Sequence, residues 1–328
     1  MSEVANRPTV LGTRLLLVDG SNLLMRAYFA TKKTHLTNAS GVPTAALSTF
    51  ISMLSRYVRQ EKPTHVMVCW DGGKSAHRVA IFSGYKAART EKTEEDRSHF
   101  MQAKEFCRVA GVPQREVFAV EADDHVANYV REYKMFEQIV ILSGDHDFFQ
   151  LLSHGKVVQI RPKGGEDERW TEAMLRSDYG CPPAHFAKVI ALAGDIGDNV
   201  PGIPGIGVKT AVKMLKRHRW NLDDVVFFEP KLFGRKEDLA RNMRLVDLTQ
   251  GARVEFKPIP RFEPVGPAHE GWQALSEFLD LYDLGRARAS LEAGSMWSER
   301  VRPAPSPTGD GRPAFRRGGV LDPPPPEG

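Results

Sequence analysis

The sequence predicts an α/β protein built on a parallel sheet flanked by helices. Short continuous apolar runs recur at 15–18, 65–70, 117–120, 139–142 and 156–160, the pattern of strands buried on both faces. Helical spacing follows several of them, and strand-then-helix repetition argues for parallel strands joined by crossovers. Four of the runs also hand over to acids: Asp19, Asp71, Glu121 with Asp123 and Asp124, and Asp145 with Asp147. The carboxyl edge of an open α/β sheet is where ligands bind, so these acids are expected to converge on one crevice.

Residues 1–13 read as a loose leader. Leu15-Leu16-Leu17-Val18 then enters Asp19-Gly20-Ser21-Asn22, a buried strand turning into a helix. A helical pattern covers 45–59, with Leu47, Phe50, Ile51 and Leu54 on one face. The segment from about 74 to 100 is rich in both charges and poor in strand signal. On its residues alone it reads as a solvated helical connection laced with ion pairs. Farther on, Phe186, Val189, Ile190 and Ala193 follow the i, i+3, i+4, i+7 spacing of a helix that delivers Asp195, with Asp198 close behind. Pro201-Gly202-Ile203-Pro204-Gly205-Ile206-Gly207 breaks that helix, and a new one opens near Lys209-Thr210. Helical patterns continue over 232–248 and 272–291, and the Pro/Gly/Arg tail 302–328 is expected to be disordered.

The 328 residues, 41% hydrophobic and 26% charged, suit a globular protein, and the net charge of +4 does not by itself demand nucleic acid. No apolar run approaches the ~18 residues of a membrane span, and no signal-peptide pattern opens the chain. Cys69, Cys107 and Cys181 have no metal-ligand spacing and read as reduced thiols of a cytoplasmic protein.

An aspartate at a strand end is often only a helix cap, so the chemistry rests on the set. So many carboxylates brought together need a cation between them. The donors are all oxygen, which points to Mg²⁺ or Mn²⁺ rather than zinc. The loop at 201–207 fails as a nucleotide P-loop by one residue, since Val208 separates Gly207 from Lys209. Either a main-chain grip on a nucleic-acid backbone or a plain turn between packed helices fits it, and the aspartates upstream favour the former. Of the basic run that follows, Lys209 and Lys213 are assigned to phosphate.

GDIGDNVPGIPGIGVKTA resembles the helix–three-turn–helix signature of the 5′ nuclease family. That family comprises flap endonucleases, phage 5′→3′ exonucleases and the 5′ nuclease domain of bacterial DNA polymerase I. LLLVDGSN, VCWDGG (with Trp70 where Phe is usual), VEADD, SGDHDFFQLL and GDIGDN are similar to its acidic motifs. The resemblance implies a PIN-like nuclease core over 14–180 with a helical arch at about 74–100. The helix–three-turn–helix DNA-binding subdomain and a C-terminal helical region would then occupy 181–291.

It further implies two metal ions held by Asp19, Asp71, Glu121, Asp123, Asp124, Asp145, Asp147, Asp195 and Asp198, with Asp145 or a neighbour shared. Arg78, Tyr85, Lys86 and Arg89 match the arch positions, Lys86 and Arg89 for the scissile phosphate and Tyr85 for stacking on a base. Gly202, Gly205 and Gly207 would let the turn hold a duplex strand beside Lys209, Thr210 and Lys213, with a K⁺ ion as in relatives. The family's Pro-rich stretch after the arch motif is absent. The expected protein is a monomeric, free-standing 5′→3′ exonuclease or 5′ flap endonuclease of a bacterial or phage-infected cytoplasm. It would act on DNA with 5′ ends or flaps, with RNA–DNA hybrids as a further substrate. The rival readings are a PIN-like ribonuclease and a non-catalytic, structure-sensing DNA-binding protein.

Overall fold

A computed structural model describes residues 10–154 and 156–297; the tail expected at 302–328 lies outside the described residues. Its centre is β1 (Val10–Asp19), in a six-stranded sheet with β2 (His65–Cys69), β3 (Gln114–Arg115), β4 (Phe136–Leu142), β5 (Val157–Arg161) and β6 (Glu168–Trp170). The strand order is β3-β2-β1-β4-β5-β6, and neighbours run parallel except for the antiparallel β5–β6 pair. Leu15 to Val18 has no polar face because the sheet is covered on both sides. Leu15 and Leu17 enter one apolar cluster, Leu16 and Val18 the other.

The second of these clusters is closed by α1 (Gly20–Thr31), α2 (Ala45–Glu61) and α4 (Glu94–Val109), with α3 (Ala76–Ile81) leading into α4 from the β2 side. On the opposite face lie α5 (Ala122–Glu132), α6 (Glu172–Asp178), α7 (Phe186–Ala193), α8 (Val208–Arg217), α9 (Leu222–Phe228) and α10 (Lys236–Val246). The last two helices, α11 (Trp272–Leu281) and α12 (Gly285–Glu292), return to pack beside α4 and α2. All three cysteines are free and buried.

The structure departs from expectation in five places. Residues 10–13, expected in a loose leader, already belong to β1, where Val10 pairs with Phe136. The run at 117–120 is not a strand. The edge strand is Gln114–Arg115, and the run forms a tight loop with Phe118 91% exposed. An apolar run at a sheet edge has no second layer to cover, so composition alone misplaced it. The pattern at 232–248 is interrupted at Gly234 (φ +73°), and that at 272–291 at Asp283 (φ +53°), where the chain turns left-handed. Finally, the end of the arch segment is not a free span. Residues 94–100 open α4, started by a capping box of Thr93 and Asp96 and packed inward through Phe100 and Phe106.

Candidate active site

The carboxyl ends of the strands place the acids. Asp19 caps α1, accepting the Asn22 amide (3.0 Å), while its other oxygen accepts the Ser143 hydroxyl (2.9 Å). Asp71 accepts the Ala122 amide (2.8 Å), which ties the end of β2 to the start of α5. Glu121 is the residue before α5, and Asp123 and Asp124 lie in its first turn, where the helix dipole favours negative charge. Asp145 follows β4 and accepts the Asp147 amide (2.9 Å). Asp195 and Asp198 sit in the loop after α7, which Asp195 closes by pairing with Val200 through both main-chain groups.

Two groups of carboxylate oxygens form, each within 4.8 Å of one another: Glu121 with Asp123 and Asp124, and Asp147 with Asp195 and Asp198. Asp19, Asp71 and Asp145 are members of neither, yet they share the same field. Burial, then the Asp71 charge, pushes Asp19 up to about 8. Burial raises Asp145, with Asp123 and Asp198 adding to it. Burial followed by Asp145, Asp198 and Asp195 raises Asp147 well above the carboxylate range. Asp124 is pushed up to about 7 by burial and Asp123, against the opposing pull of Arg78. Burial also works on Asp123, but Arg78 and Lys86 hold it below its usual value. Carboxylates that would rather bind protons than face one another are a donor set lacking positive charge, and an oxygen-only set of this kind fits a hard divalent cation.

The arch residues supply part of that charge. Arg78 is 2% exposed and donates to Glu121 (2.7 Å) and to both oxygens of Asp124 (2.9 and 3.0 Å). Its Nε reaches the Leu245 carbonyl on α10. It is a buried counter-ion of Glu121 and Asp124. Tyr85 is likewise turned inward. The ring is 2% exposed and its hydroxyl lies 2.9 Å from both Glu121 and Asp198, so no face is open for stacking on a base. Lys86 Nζ donates to Glu121 (2.6 Å) and lies 3.3 Å from Asp198, while the half-exposed Arg89 donates to Asp198 (2.6 Å). Lys86 adopts φ +50° and its own amide donates to the Asp198 carbonyl, which pins the turn over the acids.

Beyond the acids, the turn between α7 and α8 divides its glycines by function. A Cβ on Gly202 would meet the Ala193 carbonyl at 2.2 Å, so this glycine serves backbone packing inside the protein rather than approach by another molecule. Gly205 needs its left-handed φ of +73° and presents its carbonyl to Lys231 Nζ (2.9 Å). Gly207 precedes α8 with no side-chain cap, and a Cβ there would meet open space. Lys209, Thr210 and Lys213 are exposed and line an open cleft with Arg217 and Lys231.

Sequence reasoning missed several partners. Asn22 accepts the Gly144 amide, Gln159 donates to the Ser143 and Asp145 carbonyls, and Arg161 donates to that of Gly144, so three side chains hold the Asp145 loop. Fully buried Asn242 donates to the carbonyls of Ala191 and Pro201, binding α10 to the turn. Only Asn22, inside an acidic motif, carried a signal in the sequence.

A largely parallel sheet with two three-carboxylate groups beyond it, followed by two helices joined by a Gly/Pro turn, defines a protein of the resolvase-like α/β class. The family described as 5′-3′ exonuclease, N-terminal resolvase-like domain, matches residues 14–180, and its C-terminal SAM fold matches 181–259. The chain belongs to the 5′-3′ exonuclease family.

The 5′-3′ exonuclease of Bacillus subtilis (strain 168) is 36% identical over 208 residues, covering 62% of this chain and 70% of that protein. DNA polymerase I of Bacillus caldotenax is 38% identical over 207 residues, covering 62% of this chain but 23% of the polymerase, so the chain spans about a quarter of such relatives. Among solved structures, the bacteriophage T5 flap endonuclease in a pseudo-enzyme–product complex with DNA and metal ions has 26% identity and a TM-score of 0.59, covering 72% of this chain and 89% of that one. The T5 5′-exonuclease with bound zinc ions has 25% identity, a TM-score of 0.61 and the same coverage.

Proposed function

We propose that this chain hydrolyses DNA phosphodiesters near 5′ ends and flaps, using two Mg²⁺ or Mn²⁺ ions held by the two carboxylate groups. The observation that carries the reading is the pair of three-acid groups, bridged by Lys86 and Tyr85, each of which reaches Glu121 in one and Asp198 in the other. When bound, such ions supply a water of lowered pKa and stabilise the leaving oxygen, giving 5′-phosphate and 3′-hydroxyl products. The chain's own residues do the remaining work. Asp19 and Asp145 are oriented by Ser143, Asn22 and Gln159. Lys86 and Arg89, on a turn that can reach both acid groups, are the cations for the scissile phosphate. Lys209, Thr210 and Lys213 hold the duplex through its phosphates, and the exposed backbone at Gly207 lets a strand come close.

Further parts of the reading are a K⁺ ion at the turn, RNA–DNA hybrids as second substrates, a monomeric state and a bacterial or phage-infected cytoplasm. Among the described residues, no helix is long and apolar enough to cross a membrane. Cleavage of an end-labelled 5′ flap, with Mg²⁺ and with chelator, tests the proposal. Wild-type protein should cut only with the ion, and Asp145→Asn should fold and bind duplex normally yet cut at least a hundredfold more slowly. Cutting at the wild-type rate by Asp145→Asn would overturn the assignment.

A further inference from the structure

The loop between β3 and α5 carries the most exposed aromatic ring among the described residues, Phe118, at 91%. Isolated exposed apolar side chains are ordinary on protein surfaces. Here the surrounding backbone is not ordinary. The Gly72 amide donates to the Val120 carbonyl (2.9 Å), the Ala119 amide to the Gly72 carbonyl (2.9 Å) and the Ala76 amide to the Ala119 carbonyl (3.1 Å). The approach is so close that a Cβ on Gly72 would lie 1.9 Å from the Val117 carbonyl oxygen. Ala119 holds φ +60°, a left-handed conformation that an alanine adopts only when its surroundings compel it.

The position of this rigid loop gives it meaning. Gly72 directly follows Asp71, and Glu121 comes three residues after Phe118, so the main chain that carries the ring is held between two of the site's acids. Lys74 and His77, exposed on the segment that the loop is bonded to, add positive charge or hydrogen-bond donors beside it. A flat exposed ring, on a loop bonded to a segment that carries an exposed lysine, is what single-stranded nucleic acid stacks upon. The buried Tyr85 leaves that role unfilled within the arch.

We propose that Phe118 is a substrate-contact residue that stacks on a nucleobase next to the scissile phosphate. The inference rests on the nuclease reading above. The loop's main chain is held before DNA arrives, so stacking need order only the side chain and the nucleotide.

The test uses flap substrates carrying 2-aminopurine at successive positions around the cleavage point, bound by the full chain in chelator so that none is cut. Stacking on an aromatic ring quenches this fluorophore. Wild-type protein should quench it at one position, Phe118→Ala should lose that quenching, and Phe118→Tyr should retain it. Phe118→Ala should also raise the KM for the flap roughly tenfold with little change in kcat, at an unchanged melting temperature. Quenching at no position in the wild type, or quenching that survives Phe118→Ala, overturns the proposal. Wild-type cleavage in Mg²⁺ or Mn²⁺, measured on the same substrates, judges the nuclease reading separately.

Discussion

At the scale of single residues, Arg78 and Lys86 touch the same glutamate and are expected to fail differently. Arg78 is sealed in and satisfies Glu121 and Asp124 at once. Removing one partner of a buried pair leaves the other charge uncompensated, so Arg78→Met should cost about 3–5 kcal/mol in urea-induced unfolding. Unchanged stability with lost activity would show that Arg78 serves the reaction rather than the fold. Lys86 has Asp198 and Arg89 around it and can leave the acids without stranding a helix. Lys86→Ala should therefore slow single-turnover cleavage far more than it weakens DNA binding, and equal loss of both would make it only a binding contact. Asp19, Asp71 and Asp145 were legible because each stands at or just past the end of a strand, a position that apolar runs reveal, while Asp195 and Asp198 follow a helix whose periodicity showed where it ends. Their partners were not: 43 residues separate Arg78 from Glu121, and a linear sequence does not say which charges meet.

At the scale of elements, the turn from α7 into α8 is where legible composition hid two different purposes. Gly/Pro content announced a turn, but only the geometry separates a glycine needed for packing from one left open. Gly202→Ala should lower the melting temperature, because its Cβ has the Ala193 carbonyl in its way. At Gly207 an added Cβ has no protein atom within 4 Å and φ is −93°, so Gly207→Val should melt like wild type. The same valine stands at the uncapped start of α8, where main-chain amides face outward, and should weaken duplex binding by a similar factor across DNA sequences. Wild-type duplex affinity in Gly207→Val would make the turn a structural device alone. The strand wrongly expected at 117–120 belongs to the same lesson. An apolar run is ambiguous at a sheet edge, where the ring of Phe118 finds no layer to join.

At the scale of the whole molecule, the fold brings together more negative charge than it neutralises, and that should appear in its stability. Asp19 is held at about 8, against 3.8 in a model carboxyl, first by burial and then by Asp71. A carboxyl raised in this way favours folding while protonated, and that contribution is complete below about pH 4. It is lost progressively as pH rises toward 8, because ionising the group in the folded crevice costs more than in the unfolded chain. Burial moves Asp147 and Asp145 in the same direction, so their penalties carry the same sign. A divalent cation on these oxygens would remove the penalty, and protons compete with it for the same sites. The rise in melting temperature on adding Mg²⁺ or Mn²⁺ over chelator should accordingly be larger at pH 8 than at pH 5. Comparing the two at each pH cancels titration elsewhere in the chain, since only groups in contact with the ion respond to it. An increment equal at both pH values would mean that the ion meets carboxylates already ionised, and the crowding of this crevice would then have no energetic consequence.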